Sequence, residues 1–357
     1  MLKAIIKLML KIKNKKISQS HRPYIIAEMS ANHNGSLEKA LKIVDAAADS
    51  GANALKLQTY TANTLTMKSN KKIFKIQDKN SLWHGKYLYD LYKKGSLPWE
   101  WHKEIFKHAR NKGIHCFSSP FDNTAVDLLE KLNVPAYKIA SSEITDVNLI
   151  KYIASTGKPI IMSTGMATLA EISEAVNVIK ASNCKNFALL KCTSNYPALP
   201  KGSNLGSIEI LRNKFKCEVG FSDHTKGIGS SIAAVVKGAS IIEKHMTLKR
   251  SRRGIDSEFS LEPNEMKALV NECYAAQDAI KNNAIGPTRQ ELSSLRYRRS
   301  LFISTDVKKG EKFSDSNIKS IRPDAGLHPR YLKDILGKVS TKSVEAGTPL
   351  SWEMIKN

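Results

Sequence analysis

The sequence predicts an α/β protein: a (β/α)8 TIM barrel followed by a small module with little long helix. Three observations carry this. Between residues 24 and 243 a short apolar or β-branched run, ending in polar residues and followed by an amphipathic stretch, recurs eight times. Those runs are apolar at consecutive positions, the pattern of parallel strands buried on both faces. Beyond about residue 299 the alternation gives way to short runs and turns. A doubly wound sheet is the alternative arrangement of the same units.

Taken in order, the chain opens with MLKAIIKLMLKIKNKKISQS, which holds six lysines and no acid over residues 1–20. Its apolar stretch is broken by Lys7 and lacks a small-residue cleavage site, so it is too short and too charged for a membrane span or a signal peptide. We read 1–20 as a basic, frayed N-terminal extension, with Met9 as an alternative start and a surface anchor as the rival reading. The predicted strands are Tyr24–Ala27, Ala54–Leu57, His115–Phe117, Ala136–Ile139, Pro159–Met162, Phe187–Leu190, Val219–Phe221 and Ser240–Glu243. Helical periodicity covers Leu37–Ser50, Trp101–Lys112, Thr124–Leu132, Ala170–Ala181, Gly229–Lys237 and Pro263–Lys281. The expected barrel domain is 21–283. A polar stretch with Gly286 and Pro287 marks a linker at 284–298, and the module is 299–357, near the size at which a lone core is marginal.

The formal net charge is +23, from 56 Lys and Arg against 33 Asp and Glu. Such an excess suits an acidic partner of any kind. No zinc-finger spacing, basic-plus-heptad segment or ribonucleoprotein signature is present, so neither nucleic acid nor membrane is expected as partner. Five cysteines, odd in number, widely spaced and without a C-x-x-C pair, point to reduced thiols and a cytoplasmic setting.

In a barrel of this type chemistry sits at the carboxyl ends of the strands. All eight predicted ends carry polar groups, among them Glu28, Lys56 with Gln58, Ser119, Lys138 with Ser141 and Glu143, Ser163, Ser194 with Tyr196, Ser222 with His224, and His245. One strand-end serine is ordinarily a helix cap; eight polar ends together exceed what caps require. His224 and His245 end consecutive strands, with Glu28 next to them once the barrel closes. Two imidazoles and an acid suit an open manganese- or magnesium-type site better than a closed structural zinc, although hydrogen-bonded core histidines fit the same pattern. The lysines and serines suit an anion carrying phosphate and carboxylate. No phosphate-cradling or dinucleotide glycine loop follows a strand, which favours a small phosphorylated acid over ATP or NAD.

The strings IIAEMSANHNGS, LKLQTYT, FSSPFD, YKIASSE, STGMAT, LKCTSNYPA, GFSDHTKG, EKHMTLKR and GIDSEFSLEP, in this order, resemble the sialic acid synthase family from about Tyr24 to the C-terminus. LYKKGSLPWEWH and SIRPDAGLHP most resemble its pseudaminic acid branch, whereas the N-acetylneuraminate branch more usually has glycine where Ser30 stands. The resemblance implies a metal-dependent barrel with an antifreeze-like (SAF) domain, joining phosphoenolpyruvate to an open-chain 2,4-diacetamido-2,4,6-trideoxyhexose with release of phosphate. It implies His224 and His245 as ligands of a divalent metal: manganese or magnesium, with cobalt as a further candidate. Lys56, Ser119, Lys138, Ser141, Ser163 and Ser222 are implied for phosphoenolpyruvate, and Glu28, Gln58, Glu143, Ser194, Tyr196 and Asp256 for the sugar or the reacting carbons. Glu143 or Glu28 would handle the water. Arg322 would reach the sugar across a domain-swapped homodimer. N-acetylneuraminate and legionaminate synthesis are the neighbouring activities; nucleic-acid binding is the reading from another class.

Overall fold

The computed structural model describes residues 9–251, 254–281 and 284–356. The chain divides into two compact units, Met1–Asn282 and Asn283–Asn357.

In the first unit eight parallel strands close into a barrel: β3 (Tyr24–Glu28), β4 (Ala54–Thr59), β5 (His115–Pro120), β6 (Tyr137–Ile139), β7 (Ile160–Ser163), β8 (Phe187–Cys192), β9 (Glu218–Asp223) and β10 (Ile241–His245). Closure pairs β10 with β3, placing His245 opposite Glu28, while β10 also pairs with β9 so that Lys244 faces Asp223. The strands match the eight predicted runs, and most continue past them into the polar residues that follow. Two apolar layers hold them. One lies between strands and helices, with Ile25, Leu55, Val219 and Ile242 against helix residues such as Ile43, Val44, Ile153 and Leu269. The other fills the lumen with Tyr24, Ile26, Phe117, Ile161 and Leu190.

The helices start on caps of their own. Ser36 caps helix Leu37–Asp49, Asp122 caps Asn123–Lys131, Asp146 caps Val147–Ser155, and Thr168 forms a capping box with Glu171 on Leu169–Ala181. None of these is a candidate site serine, so Ser119, Ser141, Ser163 and Ser222 are not committed to capping.

The expectation of a frayed extension over 1–20 fails from Leu10 onward. Strands β1 (Leu10–Ile12) and β2 (Lys15–Ile17) form an antiparallel hairpin whose Leu10, Ile12 and Ile17 are fully buried in the lumen cluster. Lys11, Lys15 and Lys16 are exposed while Leu10, Ile12 and Ile17 face inward; the period of two holds in β1 only. Asn186 fixes the hairpin to the barrel by accepting from Lys11 N at 2.9 Å and donating to Lys11 O at 2.7 Å. Residues 1–8, including most of the apolar stretch weighed as an anchor, lie outside the described residues. No described helix is long and apolar enough to cross a membrane.

The second unit contains the hairpin β11 (Ser300–Ile303) and β12 (Ile318–Ile321) around a core of Leu301, Ile303, Val307, Phe313, Ile335 and Leu350. The stretch 284–298, expected to be linker throughout, carries a 3-10 turn at Leu292–Tyr297, and Asp324 N donates to Arg296 O at 3.0 Å. That end of it is therefore built into the second unit.

Candidate active site

At the carboxyl end of the barrel lies a cavity of about 600 Å³. Its floor is a buried charge network. Lys56 Nζ donates to Glu243 Oε1 at 3.0 Å and lies 3.1 Å from Glu28 Oε2, while Gln58 Nε2 donates to Glu28 Oε1 at 3.0 Å. Ser222 Oγ also donates to Glu243 Oε1 at 3.0 Å. Lys138 Nζ stands 3.9 Å from the same oxygen and donates to Ser163 Oγ at 2.6 Å. Glu28, Lys56, Lys138 and Glu243 are all at least 96% buried.

The network holds the charges in place. Burial pulls the Lys138 ammonium down to about 8, with Glu243 opposing, so it keeps its charge at neutral pH with little margin. Burial opposes ionisation of Glu243 as well, but Lys138 and Lys56 outweigh it and its carboxyl is held below the usual range. Glu28 goes the other way: burial raises it despite Lys56. Glu243 is the member that reading the sequence missed. It stands two residues before His245, and on a strand that spacing puts both side chains on one face; Ser222 bears the same relation to His224.

Above the floor stand the imidazoles, with ring centroids 5.3 Å apart. His224 Nδ1 lies 2.9 Å from Thr193 O, so that nitrogen carries a proton and Nε2 is the one left for a ligand once the ring is neutral; burial disfavours the charge on this ring, but neighbouring Cys192 raises it above the usual histidine range. His245 Nδ1 is buried with no partner, and burial first, then the positive groups around it, holds this imidazole well below the usual histidine range. A metal would need both rings neutral, which for His224 means giving up a proton on binding. Among the described residues no third His, Cys, Asp or Glu completes a cluster, so further coordination positions would fall to ligand oxygens. Tyr196 packs on His224 with centroids 4.3 Å apart.

Besides His245 Nδ1 and Glu243 Oε2, other buried polar atoms here have no hydrogen-bond partner. The hydroxyls of Ser119 and Ser194 are buried and unpaired, as is Oε2 of Glu143. Burial raises the Glu143 carboxyl to about 7, with its own backbone N–H and Lys138 opposing. Ser141 and Ser194 converge on Gly165, where a Cβ would stand 2.3 Å from Ser141 Cβ and 2.7 Å from Ser194 Oγ at a φ of +42°. Only glycine allows that approach.

Asp256, on the loop after β10, is tied to the loop after β3: Ser30 Oγ donates to its Oδ2 at 2.5 Å and Ala31 N at 3.1 Å. The upper wall comes from the excursion between β4 and β5 and is apolar: Leu65, Ile76, Trp83, Leu88 and Tyr92 line it. Ile76 and Trp83 sit on a chain reversal closed by Ile76 N to Lys86 O and Gly85 N to Ile76 O, both 2.9 Å; Trp83 Nε1 donates to Ile255 O at 3.0 Å. This wall was not anticipated, because its residues follow no single helical or strand period.

Of the predicted residues, Lys56, Gln58, Lys138, Ser141, Glu143, Ser163, Ser194, Tyr196, Ser222, His224, His245 and Asp256 line the one cavity. Glu28 joins through Lys56 and Gln58, and Ser119 is fully buried opposite Gln58 on β5 without lining it. Arg322 lies in the second unit, exposed, directly after β12.

A model of the NeuB family matches residues 43–284, and one of the SAF domain matches 298–356. The chain belongs to the NeuB family. Among NeuB relatives it is 44% identical to the pseudaminic acid synthase of Campylobacter jejuni over 92% of this chain and 95% of that one. It is 40% identical to the N,N'-diacetyllegionaminic acid synthase of the same organism, over 89% and 96%. A solved structure, the N-acetylneuraminic acid synthetase of Leptospira borgpetersenii in complex with citrate, superposes with a TM-score of 0.72 at 33% identity, covering 82% of this chain and 96% of that one. The chain is thus an enzyme of the sialic acid synthase type.

Proposed function

We propose that this protein is a cytoplasmic pseudaminic acid synthase, condensing phosphoenolpyruvate with open-chain 2,4-diacetamido-2,4,6-trideoxy-L-altrose and water to give a nine-carbon 2-keto acid and phosphate. The observation that carries the reading is the two-part cavity: a floor with two buried ammoniums and several hydroxyls, and an apolar wall above it. A phosphate and a carboxylate suit the floor. A 6-deoxy sugar with two acetamido methyls suits the wall better than a hexose bearing a 6-hydroxyl, which would lose water there without gaining a partner. The 44% identity to a pseudaminic acid synthase supports the same choice; legionaminate synthesis is the neighbouring reading, since that sugar carries the same apolar groups.

The geometry supports the following roles. Lys56 and Lys138, held by Glu243, neutralise the anion, with Ser141, Ser163, Ser222 and the unpaired Ser119 hydroxyl as donors. His224 Nε2 and His245 would hold a divalent metal, manganese or magnesium with cobalt as an alternative; bound, it would act as a Lewis acid toward the aldehyde. Phosphoenolpyruvate C3 attacks the aldehyde carbon, the aldehyde oxygen is protonated to a hydroxyl, and water adds at C2. The C2–O bond to phosphate then breaks. Glu143 is the group we assign to take the proton from that water: its Oε2 has no partner and its carboxyl titrates near neutrality, whereas Glu28 is engaged by Lys56 and Gln58. Gln58, Ser194, Tyr196 and Asp256 orient the sugar. Arg322 of a second copy in a domain-swapped homodimer would bind its acyl end, so Arg322→Ala is expected to raise the sugar KM and leave that for phosphoenolpyruvate unchanged.

The reading is tested with phosphoenolpyruvate labelled with ¹⁸O in the bridging position, manganese and the trideoxyaltrose. Expected are phosphate that keeps the label and a keto acid of the summed mass. Unlabelled phosphate would refute C–O cleavage, and no phosphate would refute the function.

A further inference from the structure

Ser30 stands in the left-handed backbone region, φ +44°, one of few non-glycine residues there. For an L-residue other than Gly, Asn or Asp that conformation carries strain, and such strain persists where the surroundings impose it. Here the surroundings are the loop after β10. Ser30 Oγ and Ala31 N both reach Asp256 Oδ2, and Asn32 Nδ2 reaches Met246 O at 2.9 Å and Ser260 Oγ at 2.8 Å. Ser260 in turn donates to Asp256 O at 2.6 Å. Both donors to the Asp256 carboxylate therefore fall on Oδ2. Among the described residues no donor reaches Oδ1, and Asp256 lines the cavity beside Ser30.

We infer that Ser30 is a positioning residue whose strained backbone is retained so that its hydroxyl fixes the Asp256 carboxylate with Oδ1 turned to the sugar. This rests on the reading of the cavity as a sugar site. Backbone and hydroxyl make separable contributions. Ser30→Ala removes the hydroxyl and keeps the strain; Ser30→Gly removes the hydroxyl and relieves the strain, since glycine takes positive φ freely.

The two variants are compared with wild type by steady-state kinetics and thermal unfolding. Both are expected to lose about tenfold or more in kcat/KM for the sugar, the scale of one hydrogen bond to a charged group, with the phosphoenolpyruvate KM unchanged. The Gly variant is expected to melt about 2–4 °C above the Ala variant. Sugar recognition then fails alike at two different stabilities, which a merely structural role would not produce. Wild-type sugar kinetics in either variant would overturn the inference, as would parallel loss for both substrates or kinetic loss that tracks melting temperature. Wild-type protein without turnover on any of the candidate hexoses would instead overturn the reading of the site, and this inference with it.

Discussion

Glu28 and Glu143 are both carboxyls that burial raises, and their neighbours separate their uses. Glu28 is bound by Lys56 and Gln58, so its geometry is fixed; Glu143 keeps an oxygen free. A raised carboxyl binds its proton more tightly folded than unfolded, so Glu143 lowers stability progressively as pH rises from about 4.5 toward 7, and the full cost is present above 7. Glu143→Gln removes that cost. At pH 8 the variant is expected to be more stable by on the order of 1 kcal/mol in urea unfolding, while kcat falls by about 10²-fold or more and phosphoenolpyruvate binding is retained. Near-normal turnover would end the assignment. Glu243 has the opposite signature. Glu243→Ala leaves Lys56 and Lys138 without their shared counter-ion and should cost about 3–5 kcal/mol, the scale for breaking a buried ion pair. Glu243→Gln keeps an acceptor for Lys56 and Ser222 and should cost less; equal losses in the two variants would show that the charge network is not what holds this part of the floor.

Among the elements, the N-terminal hairpin makes the most direct test of how the lumen is filled. Leu10, Ile12 and Ile17 are buried there with Tyr24 and Phe117, and full burial of each such side chain is worth about 1.5–3 kcal/mol. Ile12→Ala is therefore expected to cost about 2–4 kcal/mol in denaturant unfolding, and no loss would show the hairpin to be ornamental. Its alternation of lysine with Leu and Ile was legible in LKIK, residues 10–13, but three-residue strands give too short a signal to separate from a basic tail. The barrel was legible because doubly buried strands are apolar without interruption, as at Ile25–Ala27, Leu189–Leu190 and Ile241–Ile242. Helix ends agreed to within two residues where apolar periodicity and a cap coincided, as at Leu37–Asp49. Strand-end serines were legible as candidates but not as uncommitted ones, because capping is decided by the geometry of Ser36, Asp122 and Thr168 instead. The apolar wall and the Ser30 backbone were illegible: the wall joins residues from several loops, and positive φ at a serine has no sequence signature.

At the scale of the whole molecule, the charge of +23 is separate from the site. The floor places two lysines against two glutamates, a balanced set, so the excess belongs to the surface, as in the exposed Lys68, Lys71, Lys72, Lys75 and Lys79. On the proposed reading the anion would be selected by buried, fixed donors, with surface lysines adding only a field that salt screens. On the proposed reading the activity needs both halves of the cavity, and the apolar half is the part expected to decide between sugars. An apolar pocket discriminates against an added hydroxyl by about 10² at most. The most direct test follows phosphate release from phosphoenolpyruvate and manganese with 2,4-diacetamido-2,4,6-trideoxyaltrose, its legionaminate counterpart and N-acetylmannosamine, each alone. The trideoxyaltrose is expected to give the highest kcat/KM, exceeding N-acetylmannosamine by about 10-fold or more; equal or greater turnover of N-acetylmannosamine, or release with none of the three, would contradict the account.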